Sequence, residues 1–85
     1  MSALKQARKL IEKHPGGKEA QALSKLVVSL ETDQAISLKE IYELDYEAFQ
    51  LAMDVMRDWR IDRHYASKVK LLDLSLQVKI GRAHV

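Results

Sequence analysis

Cysteine is absent from the sequence, and glycine and proline are scarce, with three and one. The lack of thiols excludes disulfides, cysteine nucleophiles and thiolate metal ligands, and it agrees with a reducing compartment. An all-β fold needs many turns, so the scarcity of glycine and proline argues against one. No apolar run approaches the ~20 residues of a membrane-spanning helix, and no apolar signal-peptide core follows the N-terminus. We therefore expect a cytoplasmic protein without a membrane contact.

Length and composition indicate one globular domain. The chain has 85 residues, of which 47% are hydrophobic and 31% are charged. These proportions are typical of a folded domain rather than of a disordered segment. A domain of this size buries only about 60% of the surface of its unfolded chain. The core must therefore be efficient, or an oligomer must add to it.

The charges nearly balance overall, at +2, but they are segregated along the chain. Residues 1–18 carry five lysines and arginines against one carboxylate, and residues 57–70 carry five against two. Residues 31–47, between them, carry six carboxylates against one lysine. We expect this acidic middle segment to face either the basic flanks within the fold or a partner.

Residues 45–60 contain the only phenylalanine and the only tryptophan of the chain and predict its central helix. Their apolar residues alternate at spacings of three and four, as on one face of an α-helix. A second apolar row of Ala48, Leu51 and Val55 widens the face that we expect to be buried. The methionines could also form an adaptable groove for a partner, but we favour a core role. The predicted core residues of this helix are Tyr46, Phe49, Met53, Met56 and Trp59.

Capping residues and helix breakers divide the rest of the chain. We predict a first helix over residues 2–13 with Ser2 as its N-cap, and a second helix over residues 18–31. Ser37 and Glu40 have the spacing of a capping box, which predicts a short helix beginning there. Asp45 is suited to a further N-cap, so we favour a break there over one unbroken helix from residue 38 to residue 60. A last helix follows from about residue 65.

The predicted fold is all-α, a small bundle of four to five short helices around the central helix at about 45–60. We assign residues 1–79 to a single helical domain. Residues 80–85, Ile-Gly-Arg-Ala-His-Val, resemble the translation of a common short-read sequencing adapter, ATC GGA AGA GCA CAC GTC. We therefore expect these residues to be a non-native tail, and the natural chain to continue differently after about residue 79.

A basic and aromatic stretch closes the central helix and continues beyond it. Arginine and aromatic side chains together suit phosphates and stacked bases, which makes this stretch a candidate contact for a partner or a phosphate. In the alternative interpretation, Trp59 and Tyr65 anchor the core, while the arginines are solvated or pair with Asp58 and Asp62. We favour that alternative. The candidate contact residues are Arg57, Arg60, Arg63, His64 and Lys68.

Other residue patterns give weaker support for a DNA-binding, metal-binding or catalytic site. A helix-turn-helix over residues 38–60 would present carboxylates to DNA phosphates, which repel them. Asp54, Asp58 and Asp62 lie four residues apart, but three carboxylates on one exposed helix make a poor cage for a cation. The histidines lack metal-site spacing, and the sequence has no nucleophile elbow and no glycine-rich phosphate loop. We predict no catalysis, no cofactor and no metal.

The leading functional hypothesis is a small interaction or regulatory module without catalysis. Its partner would be another protein, or a second copy of the chain that pairs through the apolar last helix. The alternative is a nucleic-acid-binding accessory protein that uses the basic residues of the first helix and of residues 57–70. Binding that weakens steeply with rising salt would favour this alternative. An enzyme is the least favoured class, because no catalytic constellation supports it.

Overall fold

The computed structural model describes residues 2–61 and 65–81. This part of the chain contains five α-helices and no strand, which confirms the predicted all-α bundle of short helices. None of these helices is both long enough and apolar enough to cross a membrane. In chain order they are α1 (Ala3–Lys13), α2 (Lys18–Glu31), α3 (Leu38–Tyr42), α4 (Tyr46–Ile61) and α5 (Tyr65–Lys79).

Side-chain caps fix two of the helix starts that the sequence predicts. The hydroxyl of Ser2 accepts a hydrogen bond from the backbone N–H of Lys5 at 3.3 Å. Asp45 Oδ1 accepts one from the backbone N–H of Ala48 at 2.9 Å. A capped start at Asp45 means that residues 38–60 form two helices, so the favoured break is confirmed.

The predicted capping box at Ser37 is wrong. The extended backbone of Ser37 occupies the N-cap position of α3, but its side chain makes no capping hydrogen bond. Glu40 does not reach back to Ser37 because its carboxylate accepts hydrogen bonds from Lys25 Nζ on α2 instead, at 3.1 and 3.2 Å. A contact with another helix thus replaces the local one that the spacing predicts.

One hydrophobic core draws on all five helices. Among the described residues, α2 packs against each of the other four helices, and its interface with α5 is the largest. Leu23 and Val27 of α2 are fully buried, as are Leu4 and Ile11 of α1. Helix α4 packs against α1, α2 and α3. The aliphatic side chains of α1 and α2 therefore contribute as much to the centre of the bundle as the larger side chains of α4.

The buried face of α4 is rotated from the predicted one. It consists of Ala48, Ala52, Val55 and Trp59, while Phe49 and Met56 are only partly buried. The prediction that Tyr46 and Met53 belong to the core is wrong, because their side chains are 79% and 46% exposed. The alanines explain the difference. Their small side chains let α4 approach its neighbours closely. This places the larger side chains of Tyr46 and Met53 at the edge of the bundle.

Candidate functional site

The candidate site is an aromatic-methionine surface that spans α3 and the first half of α4. Leu38, Tyr42 and Tyr46 are 78%, 76% and 79% exposed, and Met53 is 46% exposed. Phe49 is partly buried and packs against the core. Single exposed apolar side chains are ordinary, but a group of them close together is typical of an interaction site. We define the aromatic-methionine surface as Leu38, Tyr42, Tyr46, Phe49 and Met53.

Helix geometry and one ring contact make these residues neighbours. Leu38 and Tyr42 lie one turn apart on α3, and Tyr46, Phe49 and Met53 lie at i, i+3 and i+7 on α4. The rings of Tyr42 and Phe49 join the two helices, with centroids 6.3 Å apart and planes at 89°. This edge-to-face arrangement is a favourable one for aromatic pairs. This contact therefore links the exposed side chains of α3 to those of α4.

The short helix α3 can bury only one side. Ile41 is buried in the core, as is Leu44 just after the helix. These two side chains hold α3 against the bundle. Leu38 and Tyr42 occupy the positions that remain, and no further helix covers them in the described part of the chain.

Carboxylates flank the turn between α3 and α4. Glu43, Asp45 and Glu47 are all exposed. Lys39 lies 3.9 Å from Glu43 in an exposed pair, and Asp45 caps α4 through Ala48. Asp45 and Glu47 also line a groove between α4 and α1, together with Leu10 and Glu19. These two carboxylates therefore lie on the α1 side of α4 rather than beside the aromatic-methionine surface.

The acidic middle segment does not form ion pairs with the basic flanks within the described residues. Its carboxylates use other partners: Glu40 pairs with Lys25, and Glu43 pairs with Lys39. Glu31 accepts a hydrogen bond from the indole of Trp59. The sequence predicted that the acidic middle segment faces either the basic flanks or a partner. These contacts do not support the first of these two arrangements.

The basic-aromatic stretch is less open than its sequence suggests. Trp59 is only 7% exposed, so its ring has no free face on which a base could stack. Lys68 Nζ lies 5.5 Å from the centroid of that ring. Arg57 lies 3.4 Å from both Asp54 and Asp58. These contacts agree with the favoured interpretation at Trp59 and Arg57, whereas the side chain of Tyr65 lies outside the described residues.

Only one of the remaining candidate contacts lies in the part of α4 that the structure describes. Arg60 is exposed near the end of α4, whereas Arg63 and His64 lie outside the described residues, as does Asp62. Asp58 has two partners, because Asp58 Oδ2 also accepts a hydrogen bond from the backbone N–H of Ala3 at 3.3 Å.

In residues 2–61 and 65–81, no group of three or more histidines and carboxylates is placed to hold a metal.

Two other surface features lie away from the aromatic-methionine surface. An open groove of about 760 Å³ lies beside the turn between α1 and α2, where Lys13, His14, Glu19 and Asp45 are among its lining residues. These groups make no hydrogen bond or ion pair with one another among those described. The outer side of α5 exposes Val69 and Leu76 by a little over two fifths each. Neither feature contains large exposed aromatic side chains.

Comparisons with protein-family models, curated proteins and solved structures found no match for this chain. The functional interpretation therefore rests on the geometry of its own residues. Sequence reasoning assigned Tyr46, Phe49 and Met53 to the core and did not place Leu38 and Tyr42 in a site. The signal that could have found the site was the short length of α3 between Ser37 and the cap at Asp45.

Proposed function

We propose that the chain is a non-catalytic protein-interaction module that binds its partner through the aromatic-methionine surface. The observation that carries this proposal is the continuous exposure of Leu38, Tyr42, Tyr46 and Met53 around the partly buried Phe49. Aromatic residues and methionine are enriched in protein interfaces, and tyrosine is common among the residues that dominate binding energy. We also propose a cytoplasmic location, which the absence of cysteine supports.

The surface combines a side chain that packs against the core with side chains that lie largely in solvent. Phe49 packs against the core, and its ring meets that of Tyr42. A side chain that is already packed loses less conformational entropy when a partner binds. Met53 adds a flexible side chain that can adjust to the shape of the partner.

The test compares three forms of the chain in co-purification from cells in which it is expressed naturally. These are the wild type, the Tyr42→Ser/Tyr46→Ser variant, and a Leu30→Ser control on α2, where Leu30 is 37% exposed. The captured partner is then purified and titrated against each form by calorimetry. We expect the double variant to weaken binding at least about tenfold, as for central interface tyrosines, and the control to bind as the wild type does. Equal binding by all three forms would overturn the proposal.

A second copy of the chain is an alternative partner. Helix α5 buries Leu71 and Val78 against the bundle but leaves Val69 and Leu76 partly exposed on its other side. A helix with apolar residues on both sides is usually covered on both sides. Light scattering on residues 1–79 tests this alternative, and a dimer mass that Leu76→Ser reduces to a monomer mass would support it.

Nucleic-acid binding remains the second functional class. Lys5, Lys9 and Lys13 are exposed on α1, which supports weak contact with phosphates. The burial of Trp59 and the pairing of Arg57 make the predicted patch at residues 57–70 a poorer candidate than α1. Fluorescence anisotropy with single-stranded DNA and duplex RNA tests this class. Binding that falls steeply with salt and that is weakened by Lys5→Gln/Lys9→Gln would favour it.

A further inference from the structure

We propose that α5 pairs with α5 of a second copy of the chain, with the two helices side by side and parallel. The contact row of this pairing consists of Val69, Leu72 and Leu76, and it is flanked by Lys68 and Asp73. The inference goes beyond the proposed function, because no residue of the aromatic-methionine surface lies on α5. It assigns the chain a second surface, for self-association.

Helix α5 carries apolar side chains on two sides. Leu71 and Val78 are buried against the bundle. On a different side, Val69 and Leu76 are 44% and 42% exposed, and Leu72 between them is partly buried. Spacings of three and four residues place these last three side chains in one row along the helix. Two such rows pack against each other when two helices form a coiled coil.

The side chains of this row suit one partner helix. In the heptad notation of coiled coils, Val69 and Leu76 are at position a, and Leu72 is at position d. A β-branched residue at a with leucine at d, as at Val69 and Leu72, favours a pair of helices over three or four. When the partner is a second copy, each row meets an identical row, which is the self-complementary contact of a two-fold dimer.

The charges beside the row select a second copy in parallel orientation. Lys68 is at position g and Asp73 at position e, on opposite sides of the row. In a parallel pair, position g of one helix meets position e of the other, five residues further on. Lys68 of each copy would then lie beside Asp73 of the other copy. In an antiparallel pair with aligned rows, e meets e, so the two Asp73 carboxylates would repel each other.

Both charged groups are available for this contact. Lys68 Nζ lies 5.5 Å from the centroid of the Trp59 ring, and it makes no ion pair with any of the described residues. Asp73 is exposed, and its Oδ2 accepts a hydrogen bond from Gln77 at 3.0 Å. Its Oδ1 remains for the ammonium group of a second copy.

The small area of the row limits the strength of the pairing. Three side chains of each copy bury less surface than the ~800 Å² per partner of a standard stable interface. We therefore expect a dimer that dissociates on dilution.

Sedimentation equilibrium of the full chain, over a dilution series that begins at about 1 mM, measures the pairing. Leu76→Ser should weaken dimerisation at least about tenfold, because it removes one apolar side chain of the row from each copy. Lys70→Ser is the matched control at an exposed position of α5 and should leave the dissociation constant unchanged. A chain that is monomeric at every concentration, or a dimer that Leu76→Ser does not weaken, would overturn the proposal.

Exchange of the two charges tests their pairing. Lys68→Glu and Asp73→Lys should each weaken dimerisation about threefold or more, since like charges then meet at two symmetric contacts. An equal mixture of the two variants should pair about as tightly as the wild type, because each contact then joins opposite charges. Mixing does not rescue a side chain whose role is only structural. If the mixture pairs no better than the separate variants, the charge pairing is overturned.

A single introduced cysteine reports the orientation, because the chain has none of its own. Val69→Cys brings its thiol near its counterpart only in a parallel pair, since a disulfide needs Cα atoms within about 7 Å. We expect Val69→Cys to oxidise to a covalent dimer much faster than the Lys70→Cys control. Equal rates would overturn the parallel arrangement. The aromatic-methionine surface is tested separately, by co-purification of the Tyr42→Ser/Tyr46→Ser variant.

Discussion

The indole Nε1 of Trp59 donates a hydrogen bond to Glu31 Oε2 at 3.2 Å. This contact joins the last residue of α2 to the final turns of α4. Lys68 of α5 lies over the same ring, with its Nζ 5.5 Å from the centroid, a distance at which an ammonium group is attracted to the ring face. One aromatic side chain thus links three helices, and it is used within the fold rather than for contact with a partner.

Trp59→Ala should lower the free energy of unfolding by about 3–5 kcal/mol, the usual loss for a buried aromatic side chain. Glu31→Gln retains an acceptor for the indole N–H but removes the charge, so it should cost about 1 kcal/mol or less. Urea unfolding followed by far-ultraviolet circular dichroism measures both variants. A Trp59→Ala loss below that of Glu31→Gln would mean that the indole is not part of the core.

Tyr46→Ser should change the free energy of unfolding by no more than about 0.5 kcal/mol, because a largely exposed side chain contributes little to folding. Leu23→Ala is the buried comparison and should cost about 2–5 kcal/mol. Thermal and urea unfolding of the two variants give the contrast. A comparable loss in both would return Tyr46 to the core and would remove a central residue of the aromatic-methionine surface.

Asp45→Ala should cost about 1 kcal/mol, since it removes the side-chain acceptor for the Ala48 N–H at the start of α4. Asp45→Asn should keep most of this stability because its amide oxygen can still cap the helix. Ser37→Ala, which removes a hydroxyl that makes no capping hydrogen bond, should cost clearly less than Asp45→Ala. Equal losses at the two N-caps in urea unfolding would contradict the assignment of Asp45 as the effective cap.

Ser24→Ala and Ser75→Ala should each leave the protein equally stable or up to about 1 kcal/mol more stable. Both hydroxyl groups are buried without a hydrogen-bond partner, and removing an unpaired polar group also removes its desolvation cost. Ser29→Ala on α2 is only partly buried and controls for the higher helix propensity of alanine. A lower midpoint of thermal unfolding for Ser24→Ala than for Ser29→Ala would show that the buried hydroxyl is stabilising.

Most helix boundaries could be predicted from the sequence because they depend on neighbouring residues. Ser2 and Asp45 cap helices through amides three residues ahead, and the stretch from Pro15 to Gly17 separates α1 from α2. Such signals act within one turn of chain. Where a distant partner competes, the same logic fails, as it does at Glu40 with its contact to Lys25.

The candidate site could be predicted only in part. Its residues were recognised as an apolar row on α4, but the large side chains of Tyr46 and Met53 were assigned to the core. Phe49 and Trp59 come from the same row, and only Trp59 is buried. Size and hydrophobicity alone do not distinguish a core side chain from an interface side chain, because the same burial energy favours both.

Composition and local pattern by themselves determined that the chain is helical, where it breaks, and that its charges are segregated. The tertiary structure decided which side of each helix faces inwards. Helical periodicity allows two adjacent rows on α4, and the choice between them depends on how closely α1 and α2 can approach. Ala48 and Ala52 permit the close approach, so a face that takes residues from both rows is buried, while Tyr46 and Met53 remain exposed.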